Sequence, residues 1–349
     1  MHIPGLDAIR AVCTAWIVLS HVGHMPLFAE PPPTSDLVRY VIAAIDGGWV
    51  NGTAAVIVFF VVSGFCIHYP YATGKPFDLG EFLVRRFVRV GLPLLAIVAM
   101  LLLAGLPLAL LDRTVMWSLV CELIYYAAYP MLRRLAARVQ WRYVFAAAFV
   151  VGYAVVLTDP SLASADPVRK GAGNYPSYGV GGNALLGLPC WLVGVLLAEW
   201  KARGDAPVSR MGVWGWRLTI WALSCALLAL RFHTPVGHPW TLNFFALAVY
   251  CWLQQELLHY RNARPWAWLE AAGTWSYSVY VVHAIALWAF VLAMGPLAPG
   301  DRIAWIELMG FIALASYAFY LVVERPSHQL ARALARWPAR RESNPRPTA

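Results

Sequence analysis

Charge is scarce in this chain. Asp, Glu, Lys and Arg make up 13% of its 349 residues, about half the share of a water-soluble domain, which excludes an ordinary soluble globule. Six cysteines are present, at positions 13, 66, 121, 190, 225 and 251, all inside apolar segments and with no Cys-x-x-Cys spacing. That pattern excludes a disulfide framework and a thiolate metal site, leaving the cysteines as small core residues. There is no fixed-period repeat and no second, soluble stretch. No basic segment and small-residue cleavage site precede the first apolar run, so that run reads as a retained transmembrane helix rather than a signal peptide.

What is abundant is apolar and aromatic: 60% of the residues are hydrophobic, with 17 Trp and 16 Tyr. Aromatic belts at the two membrane interfaces account for this richness. Crossing the hydrocarbon takes roughly 20 apolar residues, and ten such runs can be marked, at about 8–28, 50–69, 83–110, 115–132, 143–158, 183–199, 216–231, 240–258, 269–293 and 302–323. The expected fold is therefore all-α, a polytopic membrane protein of about ten transmembrane helices. The membrane unit covers residues 1–326, and 327–349 form a basic tail, disordered or lying on the membrane surface.

Arginine and lysine set the orientation. With both termini in the cytoplasm, 21 of the 27 fall inside and six outside, at Arg39, Arg113, Arg169, Lys170, Arg231 and Arg302, as the positive-inside rule requires. The net charge of +9 is then a topology signal, and no nucleic-acid partner is called for.

Some polar groups nonetheless sit inside the apolar runs, where they are costly unless they face a polar cavity. Arg10 and His21 bracket "RAVCTAWIVLSH"; eleven residues on a helix is about 16 Å of rise, with both ends on nearly one face. His21 is expected about 20 Å from the cytoplasmic side, and His283, in "SYSVYVVHAIAL", at the same level. Glu122, in "WSLVCELIYY", enters about 10 Å from the other side, with Glu307 slightly shallower. These four are expected to share one polar layer. Arg86 and Arg89, at i and i+3 near the cytoplasmic end of the third run, suit a polyphosphate or a lipid headgroup. His68 reads as interfacial. "HVGH" has metal-like spacing at His21 and His24 but no supporting ligand set, so no metal is expected.

The motifs in order then show a likeness. "GLDAIRAVCTAWIVLSH", "FFVVSGFCI", "RRFVRV", "WSLVCELIYYAAYP", "SYSVYVVH" and "VVERP" together resemble the acyltransferase-3 family, multi-span bacterial membrane enzymes that O-acylate carbohydrates. Arg10 and His21 match its basic residue, ten residues, then histidine; Arg86 and Arg89 match its Arg-x-x-Arg. Ser63, Trp117, Glu122 and His283 fall on its other motif positions. The resemblance implies His21 and Glu122 as catalytic, with Glu122 orienting the imidazole, and Arg10, Arg86, Arg89, Ser63, Trp117 and His283 as donor-binding or supporting. His21 could act as base toward the acceptor or carry the acyl group itself. The implied donor is acyl-CoA, acetyl-CoA by default, as a co-substrate with no tightly bound cofactor.

The implied acceptor is an extracytoplasmic carbohydrate such as an exopolysaccharide, a lipopolysaccharide, a lipid-linked sugar or a glycosylated metabolite. The implied location is the bacterial inner membrane. Two departures stand out. Many members have a second carboxylate where this chain has Leu123, and no fused hydrolase-like domain follows, so a further extracytoplasmic transfer would need a separate protein. The loop Arg169–Asn183 offers tyrosines and an asparagine to a sugar. A competing reading, a transporter or flippase of a lipid-linked sugar, lacks the paired broken helices usual there.

Overall fold

A backbone in lipid must satisfy its own hydrogen bonds, and an apolar chain does so most simply as helix. In the computed structural model, which describes residues 3–23, 48–108, 116–158, 178–234, 236–298 and 300–342, the described residues are helical without strands. In chain order the helices are α1 (Leu6–Val22), α2 (Gly52–Ala72), α3 (Leu79–Leu103), α4 (Trp117–Val139), α5 (Trp141–Leu157) and α6 (Gly179–Arg203). They continue with α7 (Val213–His233), α8 (His238–His259), α9 (Ala267–Gly273), α10 (Ser276–Met294), α11 (Arg302–Phe319) and α12 (Arg325–Glu342).

Each of the ten apolar runs falls on helix, with altered ends. The first stops at Val22, because Gly23 takes a φ of 88° and its N–H bonds the Leu19 carbonyl at 2.9 Å; the rest of that run lies outside the described residues. The third begins early, at Leu79, where Asp78 caps the helix by accepting from the Glu81 N–H at 2.5 Å. The fourth extends through Arg133, Arg134 and Arg138, good helix formers that apolarity alone does not mark. It then meets α5 across the single residue Gln140 at a bend of 119°. The ninth is split into α9 and α10.

Six described helices are long and apolar enough to cross a membrane, or seven if the bent α4–α5 pair is one span, fewer than the ten expected. Two reasons are visible. The described part of α1 has only 17 residues, and α8 carries His238, Asn243, Gln254, Gln255 and Glu256, which dilute its apolarity.

Burial ranks the helices. The apolar windows of α2 and α6 are 67% buried, against 28% in α3 and 22% in α7, so α2 and α6 form the centre and α3 and α7 face outward. The two central helices cross at glycines. A Cβ on Gly64 would overlap the Trp191 carbonyl, and one on Gly194 would overlap the Val61 carbonyl. Small residues at such a crossing let backbones touch, which is how helices gain packing energy in lipid.

The last run does not end at Pro326. Tyr320–Glu324 form a wide π turn in which the Arg325 N–H reaches the Tyr320 carbonyl five residues back. Widening the turn relieves the clash that a proline ring makes with the preceding turn, so the helix resumes as α12. The expected tail is therefore helical through Glu342, and it packs on α3 with Ser327 and Ala331 buried.

Candidate active site

A cavity of about 1130 Å³ opens between the starts of α1, α3 and α10, one side of α2 from Val56 to Tyr71, the first turns of α4, and α12. Among the described residues, seven cations line it (Arg10, Lys75, Arg85, Arg86, Arg89, Arg325 and Arg332) against three carboxylates, Asp7, Glu122 and Glu324. Arg10 is held by Asp7, one turn before it, at 2.7 Å, and its other nitrogen lies 3.3 Å from Cys66 Sγ. The position of α1 is itself set by a carboxylate. Glu270 Oε1 on α9 accepts from the Gly5 and Ala8 N–H groups at 2.9 and 3.1 Å, the arrangement a helix N-terminus favours.

Arg89 donates from Nε to His328 Nε2 at 3.1 Å. Arg86 lines the same wall and hydrogen-bonds to no described residue. Arg86 and Arg10 are both near enough to Arg89 for their charges to act on it. Three such guanidiniums held together suit a polyanion.

Further along the cavity, Glu122 accepts from Ser63 Oγ at 2.5 Å and from the Tyr126 hydroxyl one turn on. Ser63 also receives Trp191 Nε1–H at 3.3 Å. Tyr280 forms part of the same wall, with its hydroxyl 2.5 Å from Ser118 Oγ.

Tyr280 connects this wall to the histidines. Its backbone carbonyl lies 2.8 Å from His283 Nδ1, with the Val279 carbonyl at 3.1 Å, while His283 Nε2 lies 2.8 Å from His21 Nδ1. The two rings are nearly parallel, 5° apart. Hydrogen-bond logic orders the protons. A carbonyl only accepts, so His283 Nδ1 carries the hydrogen, and with that ring neutral its Nε2 must accept. His21 Nδ1 therefore donates, and His21 Nε2 is left with a bare lone pair. His283 is fully buried and His21 is exposed, so the basic nitrogen sits on the ring that a substrate can reach.

The expected partnership between His21 and Glu122 is not observed. His21 is joined to His283, and Glu122 to Ser63 and Tyr126; no hydrogen bond or ion pair joins the two groups among the described residues. His21 also occupies the last turn of α1 rather than a position two-thirds along a longer helix. Glu307 is exposed on α11 and joins neither the histidine pair nor the Glu122 cluster by any hydrogen bond or ion pair among the described residues. Trp117 sets an edge against Phe60, ring centres 6.1 Å apart.

His68 is not interfacial. It is buried, with Tyr129 OH at 2.8 Å and Glu199 Oε1 at 2.7 Å, joining α2, α4 and α6. His24 and most of the 169–183 loop lie outside the described residues.

The sequence alone gave no role to Tyr126, Tyr280, Glu324 or His328, although Tyr280 and Glu324 stand in the quoted "SYSVYVVH" and "VVERP" motifs. Tyr126 carried a signal, its i+4 spacing from Glu122. Glu324 turns inward on the π turn and accepts from the Ser278 N–H at 3.1 Å and its hydroxyl at 2.5 Å; nothing local in the sequence shows that turn.

Comparison with curated proteins gives no match, and neither does comparison with solved structures. A family model described as an acyltransferase domain matches residues 3–323. The match takes in the arginine wall, the Ser63–Glu122 cluster and the paired histidines together. The chain belongs to the acyltransferase-3 family and is a multi-pass membrane acyltransferase.

Proposed function

We propose that the protein transfers an acyl group, acetyl in the simplest case, from cytoplasmic acyl-CoA to a hydroxyl of an extracytoplasmic carbohydrate, in the inner membrane of a bacterium. The observation that carries this reading is the ordered histidine pair placed one residue's backbone away from an arginine-lined cavity. Arg10, Arg86 and Arg89 hold the phosphates of the donor, and its pantetheine arm extends along the cavity past Ser63 and Glu122. The orientation rests on the arginine and lysine distribution, which puts the start of α1 inside and His21 toward the outside.

The chemistry follows from the proton order. His21 Nε2 takes the proton of the sugar hydroxyl as its oxygen attacks the thioester carbonyl. The C–S bond then breaks, the thiolate leaves, and the proton passes from His21 to that sulfur, giving ester and free CoA. While His21 carries the extra proton, its Nδ1–H donates to His283 Nε2, and the Tyr280 carbonyl holds His283 in the tautomer that can accept it. His283 is thus a positioning residue.

His21→Ala tests the reading in cells. The variant should reach the membrane at normal levels while acylation of surface glycans, read by mass against a strain lacking the protein, falls by about 10²–10⁴-fold, the contribution of a positioned base. Near-normal acylation in that variant would overturn it.

A further inference from the structure

Among the described residues the cavity lining holds more positive charge than one diphosphate neutralises: seven cations against three carboxylates, with Glu81 just outside the lining pairing with Lys75 and Arg85. Part of the excess comes from α12. Arg325, His328, Gln329 and Arg332 fall at i, i+3, i+4 and i+7, one face of that helix, and all four line the cavity. The adjoining stripe is small and closed, with Ser327 1% and Ala331 3% exposed, so α12 lies close along α3. His328 is fixed there by the Arg89 Nε–H. Arg325 and Arg332 remain exposed and form no hydrogen bond or ion pair with any described residue. Between them the helix rises about 10 Å. Nearby in the same lining, the Arg85 Nε–H is buried without an acceptor.

On the acyl-CoA reading above, the donor carries two separate phosphate groups. The diphosphate is one, and its charge suits the Arg10, Arg86 and Arg89 cluster. The other is a 3′-phosphate monoester on the ribose, with a charge of about −1.5 to −2. Guanidinium forks are the side chains best shaped for it. We infer that Arg325 and Arg332 of α12 bind the 3′-phosphate of the donor, so that this helix makes the site selective for CoA over carriers that lack the monoester. The helix is then part of the donor site rather than a basic tail on lipid.

The experiment compares binding of CoA and 3′-dephospho-CoA to the full-length protein in nanodiscs by calorimetry. The variants are R325Q/R332Q and a control, R138Q, at an exposed site on α4. Wild type and R138Q should bind CoA at least tenfold more tightly than 3′-dephospho-CoA. R325Q/R332Q should bind both alike, at the wild-type affinity for 3′-dephospho-CoA. Equal binding of the two nucleotides by wild type, or an undiminished preference in R325Q/R332Q, would overturn the inference while leaving the cavity as a CoA site. Unchanged nucleotide binding with an altered dependence of melting temperature on anionic lipid would assign the two arginines to headgroups instead. Binding of neither nucleotide by wild type would overturn this inference and the acyl-CoA reading together.

Discussion

His283 decides which nitrogen of His21 is basic, and that is a finer matter than the presence of two histidines. The Arg10-to-His21 spacing and the motif positions were legible in the sequence. The partner of His21 was not, because equal depth along two helices says nothing of rotation about their axes. Glu122 accordingly belongs with Ser63 and Tyr126, not with the imidazole. His283→Phe should lower kcat at least tenfold with little change in the KM for acyl-CoA, since a phenyl ring offers no acceptor to the His21 Nδ1–H yet leaves the arginine wall intact. A change confined to KM would return His283 to helix packing. The arginines should behave in the opposite way. Arg86→Gln and Arg89→Gln each remove charge-assisted contacts worth about 1.5–3 kcal/mol, so donor affinity should fall tenfold or more by calorimetry, with acceptor use little altered. A double variant with unchanged acyl-CoA affinity would make these residues lipid anchors.

The ten apolar runs, read as period and length, all became helix, because internal hydrogen bonding leaves an apolar chain little alternative. Their ends and joints were not legible. Gln140 turns the chain by 119° as a single residue between two helices, and the π turn before Pro326 allows α11 to continue into α12. Both depend on tertiary packing that apolarity does not report. The crossing of α2 and α6 is the most constrained contact between elements. Gly194→Leu should drive a side chain into the Val61 carbonyl and cost at least the ~1–3 kcal/mol typical of overpacking, seen as lower yield of monodisperse protein and a lower melting temperature. Gly310→Leu, where an added Cβ meets nothing within 4 Å, should leave both unchanged. Equal behaviour of the two variants would show that the crossing is not close-packed in the membrane.

At the scale of the whole molecule, the separation between the arginine wall and the paired histidines matters most. On the function proposed above, the donor enters at the arginine wall and the acceptor from the opposite face at the histidines, with α1 carrying Arg10 at one end and His21 at the other. The distribution of arginine and lysine along the chain supports the cytoplasmic face for the donor, a feature of the sequence that needed no structure to read. Sealed vesicles of known orientation offer the most direct test. Acyl-CoA labelled on the acyl group is supplied only to the cytoplasmic face, and the glycan accessible from the opposite face is then collected. The account predicts labelled ester on that glycan, absent with His21→Ala. Movement of unmodified glycan without acyl transfer, or label confined to an acceptor on the cytoplasmic face, would contradict it.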